Sequence, residues 1–402
     1  MTDPRPVLDG ITVLDVGSFI AGPSAATVLS DFGAEVIKVE PPGGDPHRRL
    51  QYLPGFPVSE HNYPWLLDSR NKKSLVVDLK QPDGHALLLR LAARADVVVT
   101  NLPPPVLGRL RIAWEDLEPV NARLVYAQLT GYGEVGEEAA KPGYDINAWW
   151  ARSGLMDLVR SAGCPPARSM PGMGDHPTGM ALFGAIMLAL YERERTGRGG
   201  KVSTSLMASG AWANSSLIQA VLCGAPIPER EPREACLNAL INLYQCRDGR
   251  WIMLTVLRED KDWERFCRAI GRADLLTDPR FAKIDARHAN SVALVRVLDR
   301  VFGARDWAEW QPALDAHNVS FAAINRVEDL ADDRQMKVTE TFVPMEGAPG
   351  LRTVMSPIHV AGRPKVRPKR APELGEHTDE ILRALGYDAA VIEDLRKRGV
   401  VA

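Results

Sequence analysis

Short apolar runs alternate with amphipathic segments through the first half of the chain, and the alternation predicts strands separated by helices. Residues 11–15 (ITVLD) read as a strand that runs into a turn with glycines at 17 and 22. Pro23 then opens an Ala-rich helical run that Gly33 closes, the usual placing of Pro just inside a helix start and Gly at its end. Residues 35–39 (EVIKV) are the next strand, which makes a βαβ unit whose crossover favours parallel pairing. The rhythm continues with strand 74–78 (SLVVD), helix 82–93 with Leu87, Leu88 and Leu91 on one face, strand 96–100 (DVVVT) and strand 124–129 (LVYAQL). Residues 175–195 predict a long helix with Gly197 just beyond it, followed by strand 201–206.

The pattern changes at residues 224–234 (GAPIPEREPRE), where prolines and charges mark a linker. Beyond it, helices at 261–270, 286–302 and 307–317 follow a short β pair around Asp248 and Gly249, without any βαβ rhythm. Residues 341–366 predict β structure with turns, and 378–385 and 389–398 predict helices. The expected plan is an α/β fold: residues 1–222 as a Rossmann-like large domain, 230–325 as a smaller inserted α+β domain, and 326–402 as a return segment completing the large domain.

Composition narrows the function. Hydrophobic residues are 45% and charged residues 25% of 402, so the chain can bury a sizeable core. Lys plus Arg is 49 against 51 for Asp plus Glu, a net charge of -2, which gives no electrostatic basis for a protein that coats nucleic acid. No apolar run is long enough to span a membrane and the N-terminus lacks a signal-peptide core, so the expected location is the cytoplasm, with no membrane partner. Five scattered cysteines, none in a CxxC pair, argue against a disulfide framework or a zinc site. Metalloprotease, α/β-hydrolase and P-loop signatures are all missing.

Two glycine-bearing segments carry the candidate chemistry. The first turn has Gly17 and Gly22 but not the middle glycine that lets a backbone approach a pyrophosphate, so a dinucleotide is disfavoured although Glu40 ends the second strand. The second segment, Gly172-Met173-Gly174-Asp175-His176-Pro177-Thr178-Gly179, leads into the long helix. Asp175 there sits where the helix dipole favours an ionised carboxylate, and the glycines permit close approach of a ligand. An Asp at such a place is more often just an N-cap.

The order of motifs over the whole chain resembles the family III CoA-transferases, which include formyl-CoA and carnitine CoA-transferases, and the related α-methylacyl-CoA racemases. The matching pieces are Leu8 to Asp15 with Ala21-Gly22-Pro23, then Asp31 to Glu40, Asn71 to Ser74, Gly143-Tyr144-Asp145, Gly174-Asp175, Thr196 to Val202 and Leu374 to Glu380. Each alone is common; seven in order are specific. The resemblance implies that Asp175 is the nucleophile, with Tyr144, Asp145 and Gly174 in support. It also implies an interlocked homodimer acting on acyl-CoA and carboxylic acid substrates, with CoA as substrate and no permanently bound cofactor. The carboxylate would attack the thioester to give a mixed anhydride, and the released CoA would re-attack to give an enzyme-bound thioester. The flanking glycines would offer N–H groups to the oxyanions.

By the same resemblance CoA would be held by Ile20 and Ala21, by Val77, Asp78, Leu79 and Lys80, by Asn101 and Leu102, and by Arg109 as the principal cation. Lys72 and Lys73 are further candidates, unless they only solvate a surface. Pro41 stands where formyl-CoA transferase has a contacting Arg, with Arg48 or Arg49 as substitutes. The racemases have Gly-His-Asp where this chain has Gly143-Tyr144-Asp145; a phenol, ordinarily ionising near ~10, is a poor proton shuttle, which favours transfer over racemisation. The alternatives are a 2-methylacyl-CoA racemase or isomerase and a non-catalytic CoA-binding protein. The missing glycine-rich lid argues against formate and oxalate, and a dicarboxylic acyl group such as succinyl is the expected donor.

Overall fold

The computed structural model describes residues 5–402. Its centre is one parallel sheet of six strands: β1 (Thr12–Asp15), β2 (Glu35–Glu40), β3 (Lys72–Val76), β4 (Val97–Thr100), β5 (Val125–Thr130) and β6 (Gly200–Ser205). They lie in the order β3-β2-β1-β4-β5-β6. β1, β4 and β5 are buried almost throughout, which is why they read as unbroken apolar runs rather than alternating ones. Chain direction around the sheet reverses between β1 and β4. The loops that leave these two strands diverge, opening the crevice in which such sheets bind ligands.

Helices cover both faces. On one lie α1 (Ala21–Asp31) and the long helix Asp175–Thr196, so close that a Cβ on Gly179 would come within 2.0 Å of Ser24 Oγ. On the other lie α3 (Pro82–Ala92), α4 (Pro104–Leu110) and the C-terminal helices Thr378–Ala384 and Ala389–Lys397. Leu87, Leu88 and Leu91 of α3 share one core there with Ile381, Leu382, Ile392, Leu395, Val400 and Val401. The final residues add a β-bridge between Val77 and Val401. No helix among the described residues is long and apolar enough to cross a membrane.

The chain forms two compact units: residues 1–156, 168–223 and 335–402, and residues 157–167 with 224–334. The second has its own core around Trp310, Phe266, Phe302 and Tyr244, beside the antiparallel sheet β7 (Ile241–Gln245), β8 (Trp251–Thr255) and β9 (Phe321–Ala323).

Several expected boundaries move, each for a visible reason. Residues 157–167, expected within segment 1–222, group with the second unit, where the Ala162 N–H donates to Arg230 O and the Arg230 guanidinium to Val159 O. The return begins near residue 335 rather than 326, since Arg250 holds Asp329 through two hydrogen bonds of 3.0 and 3.2 Å. β3 starts at Lys72, two residues before the expected strand, because ion pairing hides a lysine inside the sheet. The helix expected over 286–302 is two helices broken at Asn290, whose side chain donates to Ala286 O.

Deleting residues 377–402 is expected to abolish folding of the first unit. Each fully buried aliphatic side chain contributes roughly 1.5–3 kcal/mol, and the loss of six is as large as the whole ~5–15 kcal/mol stability of an ordinary domain. Expression of the truncated chain followed by thermal unfolding checks this; a soluble product melting like the full chain would contradict it.

Candidate active site

The site begins with charges buried beneath the turn after β1. Asp15, at the end of that strand, accepts from Lys72 Nζ at 2.8 Å and lies 3.5 Å from Lys38 Nζ, while Lys38 also reaches Gly17 O at 2.6 Å and Asp45 at 2.8 Å. All three of Asp15, Lys38 and Lys72 are inaccessible or nearly so. Burial opposes the charge on Asp15, yet the two lysines hold its carboxyl below the usual carboxylate range. Asp45 Oδ1 accepts the Phe19 and His47 N–H groups at 3.1 and 2.9 Å. Asn101 clamps the same turn from β4's side, accepting the Ser18 N–H at 2.7 Å and donating to Ser18 O at 2.8 Å. These bonds hold Phe19 at φ +57°, a left-handed conformation that costs a non-glycine residue about 1–2 kcal/mol.

A second loop meets this one. Asp145 opens a π-helical segment, Asp145–Ala151, and its Oδ2 accepts the N–H groups of Gly172 and Gly174 at 2.8 and 3.3 Å. Trp149 of the same segment packs against Gly174 so tightly that a Cβ there would lie 2.6 Å from its Cγ. Gly172 has φ +90°. The loop therefore arrives at the long helix with one shape, and Asp175 is the helix's first residue. The expectation that the flanking glycines donate to an oxyanion is corrected here. The N–H groups of Gly172 and Gly174 already serve Asp145.

Asp175 is half-buried. Burial, with the Asp145 carboxylate beside it, pushes its carboxyl up to about 7, so the helix terminus does not keep it an ordinary acid. His176 follows it. Its Nε2 lies 3.0 Å from Asp68 Oδ1, at the end of α2 (Tyr63–Asp68), and its Nδ1 lies 3.0 Å from Gly172 O. Burial works against the charged imidazole, but Asp68 prevails and raises it to about 9. His47, fully buried, faces the other oxygen of Asp68 at 3.7 Å.

The crevice at the switch point is an apolar cleft of about 170 Å³ lined by Val77, Asp78, Leu79, Lys80 and Leu102, with Gly17, Ser18, Pro41, Asp45 and Leu110. Five of the nine proposed CoA-binding residues are thus together. Arg109, exposed in α4, stands next to Leu110, and no partner holds it among the described residues. Ile20 and Ala21 are buried at the start of α1, toward Gly172 and Gly179 and not in the cleft. Asn101 spends its amide on Ser18, which makes it a support of the turn. Lys72 is an internal ion-pair partner of Asp15, and Lys73 is engaged by Glu35 and Glu380. Arg48 is held by Glu40 at 2.7 Å and lies over the Trp65 ring, so of the two substitutes for the missing contact only Arg49 is exposed and unpaired among the described residues. Tyr144 is exposed and meets Phe19 edge-on at 6.3 Å.

Sequence reasoning missed Asp68, His47 and Phe19. Asp68 is separated by 108 positions from His176 and sits in an unremarkable helix, and only the fold brings them together. Nothing local to His176 points to its carboxylate partner either, for the same reason.

Comparison with known proteins gives the family. Residues 8–378 match the family described as CoA-transferase family III, and the chain belongs to that family. It is similar to (R)-2-hydroxy-4-methylpentanoate CoA-transferase of Clostridioides difficile, 32% identical and covering 98% of this chain and 99% of that protein. It is equally similar to cinnamoyl-CoA:phenyllactate CoA-transferase of Clostridium sporogenes, 32% identical over 99% of this chain and 98% of the relative. Among solved structures, a CaiB/BaiF family protein from Brucella suis is 28% identical with a TM-score of 0.84, over 95% of this chain and 100% of that one.

Gly174→Ala is expected to cut CoA-transferase turnover by about 10²-fold, the scale on which small misplacements of a reacting group act, while the protein remains folded. Steady-state kinetics beside a thermal melt checks this. Unchanged turnover would show that the contact with Trp149 places nothing of consequence.

Proposed function

We propose that this CoA-transferase works through a covalent aspartyl intermediate on Asp175. The observation that supports it most directly is the placing of Asp175: accessible, at the end of a loop held rigid by Asp145 and Trp149, and within the same unit as the apolar crevice. An Asp175 oxygen attacks the thioester carbon, the C–S bond breaks and CoA leaves as thiolate, giving a mixed anhydride. The thiolate then attacks the aspartyl carbonyl and releases the first acid as carboxylate. The acceptor acid reverses both steps, so thioester energy is retained and no proton changes hands.

CoA lies along the crevice, its pantetheine against Val77, Leu79 and Leu102, and Arg109 and Lys80 meet its phosphates at the rim. The acyl group faces the rings of Phe19 and Tyr144, which meet edge-on and suit a branched or aromatic side chain better than a second carboxylate. This reading sets aside succinyl as donor and takes the acceptor to be an apolar 2-hydroxy acid, in line with the names of the two similar transferases. The chain works as a homodimer: the long helix is apolar on every side from Gly179 to Tyr191, yet Leu188 and Tyr191 are exposed, as are Trp212 and Leu222.

Incubation with donor acyl-CoA and no acceptor, then hydroxylamine trapping and peptide mapping, is expected to place the label on Asp175. Asp175→Asn is expected to lose at least about 10³-fold in turnover. Label on Asp145, or near-normal activity of the Asn variant, would defeat this mechanism.

The attacking species is the carboxylate, and its carboxyl is raised to about 7. Initial rates at low donor concentration should therefore climb with pH and level off above about 7, whereas an unshifted aspartate would give a plateau already at pH 5. Arg109→Ala is expected to raise KM for acyl-CoA by about 10- to 100-fold, the loss of a charge-assisted contact of ~1.5–3 kcal/mol, with kcat little changed.

A further inference from the structure

The two partners of His176 determine its state. Gly172 O and the Asp68 carboxylate, each 3.0 Å from a ring nitrogen, have no hydrogen to give. Both nitrogens must therefore donate, and only the imidazolium carries two N–H groups. Asp68 is itself fixed: it is buried at the end of α2, and Thr27 Oγ1 donates to its backbone carbonyl. His47 cannot compete for it as a charge, since burial pushes that imidazole down and both of its ring nitrogens lack a hydrogen-bond partner. The His176 side chain nevertheless stays 41% exposed, open to whatever occupies the site.

We propose that His176 is a positioning residue for the transfer reaction: an imidazolium locked between Gly172 and Asp68, whose fixed charge keeps Asp175 a carboxylate and then balances the thiolate that Asp175 expels. This rests on the reading of Asp175 as the nucleophile. In the first step the new C–O bond forms as the C–S bond breaks, and the electron pair leaves on sulfur. One negative charge moves from Asp175 to CoA without a proton. A cation that neither gives up a proton nor moves serves both ends of that step, which a neutral imidazole could not do. The other charges facing the pair are Asp145, which opposes ionisation of Asp175, Asp68, which holds His176, and Lys72 from β3, which acts on Asp68.

The test uses the full-length enzyme labelled with 13C,15N-histidine, the His176 signal being identified by its loss in His176→Gln. The imidazole is expected to remain doubly protonated through pH 8, and Asp68→Asn is expected to lower its titration by at least one pH unit. A His176 that is neutral at pH 7 in the unaltered enzyme would overturn the inference. In kinetics, His176→Gln should move the acid limb of kcat/KM upward by about one pH unit, and His176→Lys should restore it. A lower rate with an unmoved limb would mean a structural role only, and would also overturn it. Hydroxylamine trapping separates the two readings. Label on Asp175 in His176→Gln above the displaced limb leaves the nucleophile assignment standing whatever the titration shows, whereas absence of label in the unaltered enzyme removes that assignment and the role given to His176.

Discussion

Asp15 ends β1 with no access to water, and its charge survives there because Lys38 reaches it from the neighbouring strand β2 and Lys72 from β3, one strand further out. Removing one partner of such a buried pair costs about 3–5 kcal/mol, since the remaining charge is left without solvent or counter-ion. The same lysines carry the order outward. Lys38 holds Asp45 and Gly17 O, Lys72 holds Pro23 O at the start of α1, and Asp45 holds the Phe19 N–H. The turn between β1 and α1 is thus a rigid part of the sheet, although a turn carrying a positive φ at Phe19 would otherwise be free to relax.

That rigidity serves two sites at once. On one side Gly17 and Ser18 line the crevice; on the other Phe19 meets Tyr144, next to the Asp145 that fixes the Gly172–Gly174 loop. A close approach at each junction keeps the pieces in register. Gly17 is tight against Asn101, where a Cβ would fall 3.0 Å from its Oδ1 and push on the clamp. Gly131 and Gly143 touch across the loops that lead into the π-helical segment, where a Cβ on either would meet the other's Cα at under 3 Å. Packing of backbone against backbone at such points leaves little freedom for a reacting group to drift.

The parallel sheet was legible because its strands are buried on both faces and so write themselves as apolar runs; Asp175 drew attention only through the order of motifs over the whole chain, since its own glycines and helix start fit a plain N-cap. Signals that need a partner from elsewhere were not. Lys72 and Lys73 look like a solvated pair, and nothing in their neighbourhood tells that one of them enters the sheet against Asp15. Asn101 lies next to a strand end, where a ligand contact is a reasonable expectation, but its amide is consumed by Ser18. His176 belongs to the same class: its neighbours in sequence offer a carbonyl, and its deciding contact comes from α2. The boundary near residue 335 was missed for the same reason, since the Arg250 and Asp329 pair spans 79 positions.

Asp145 shows how the site divides its polar groups between shaping and chemistry. A carboxylate that accepts two N–H groups gives the loop one conformation, but it removes those donors from any developing oxyanion and brings a second negative charge toward Asp175. The cost is visible in the raised Asp175 carboxyl. An arrangement with backbone donors free would hold Asp175 ionised, yet the loop carrying it would lose the bonds that define its shape. The site therefore needs positive charge that is not drawn from the loop, fixed from outside it. Asp68 on α2 holds such a charge on His176 without touching either glycine N–H. Shape is supplied by one carboxylate and compensation by the partner of another, and neither function has to be given up for the other.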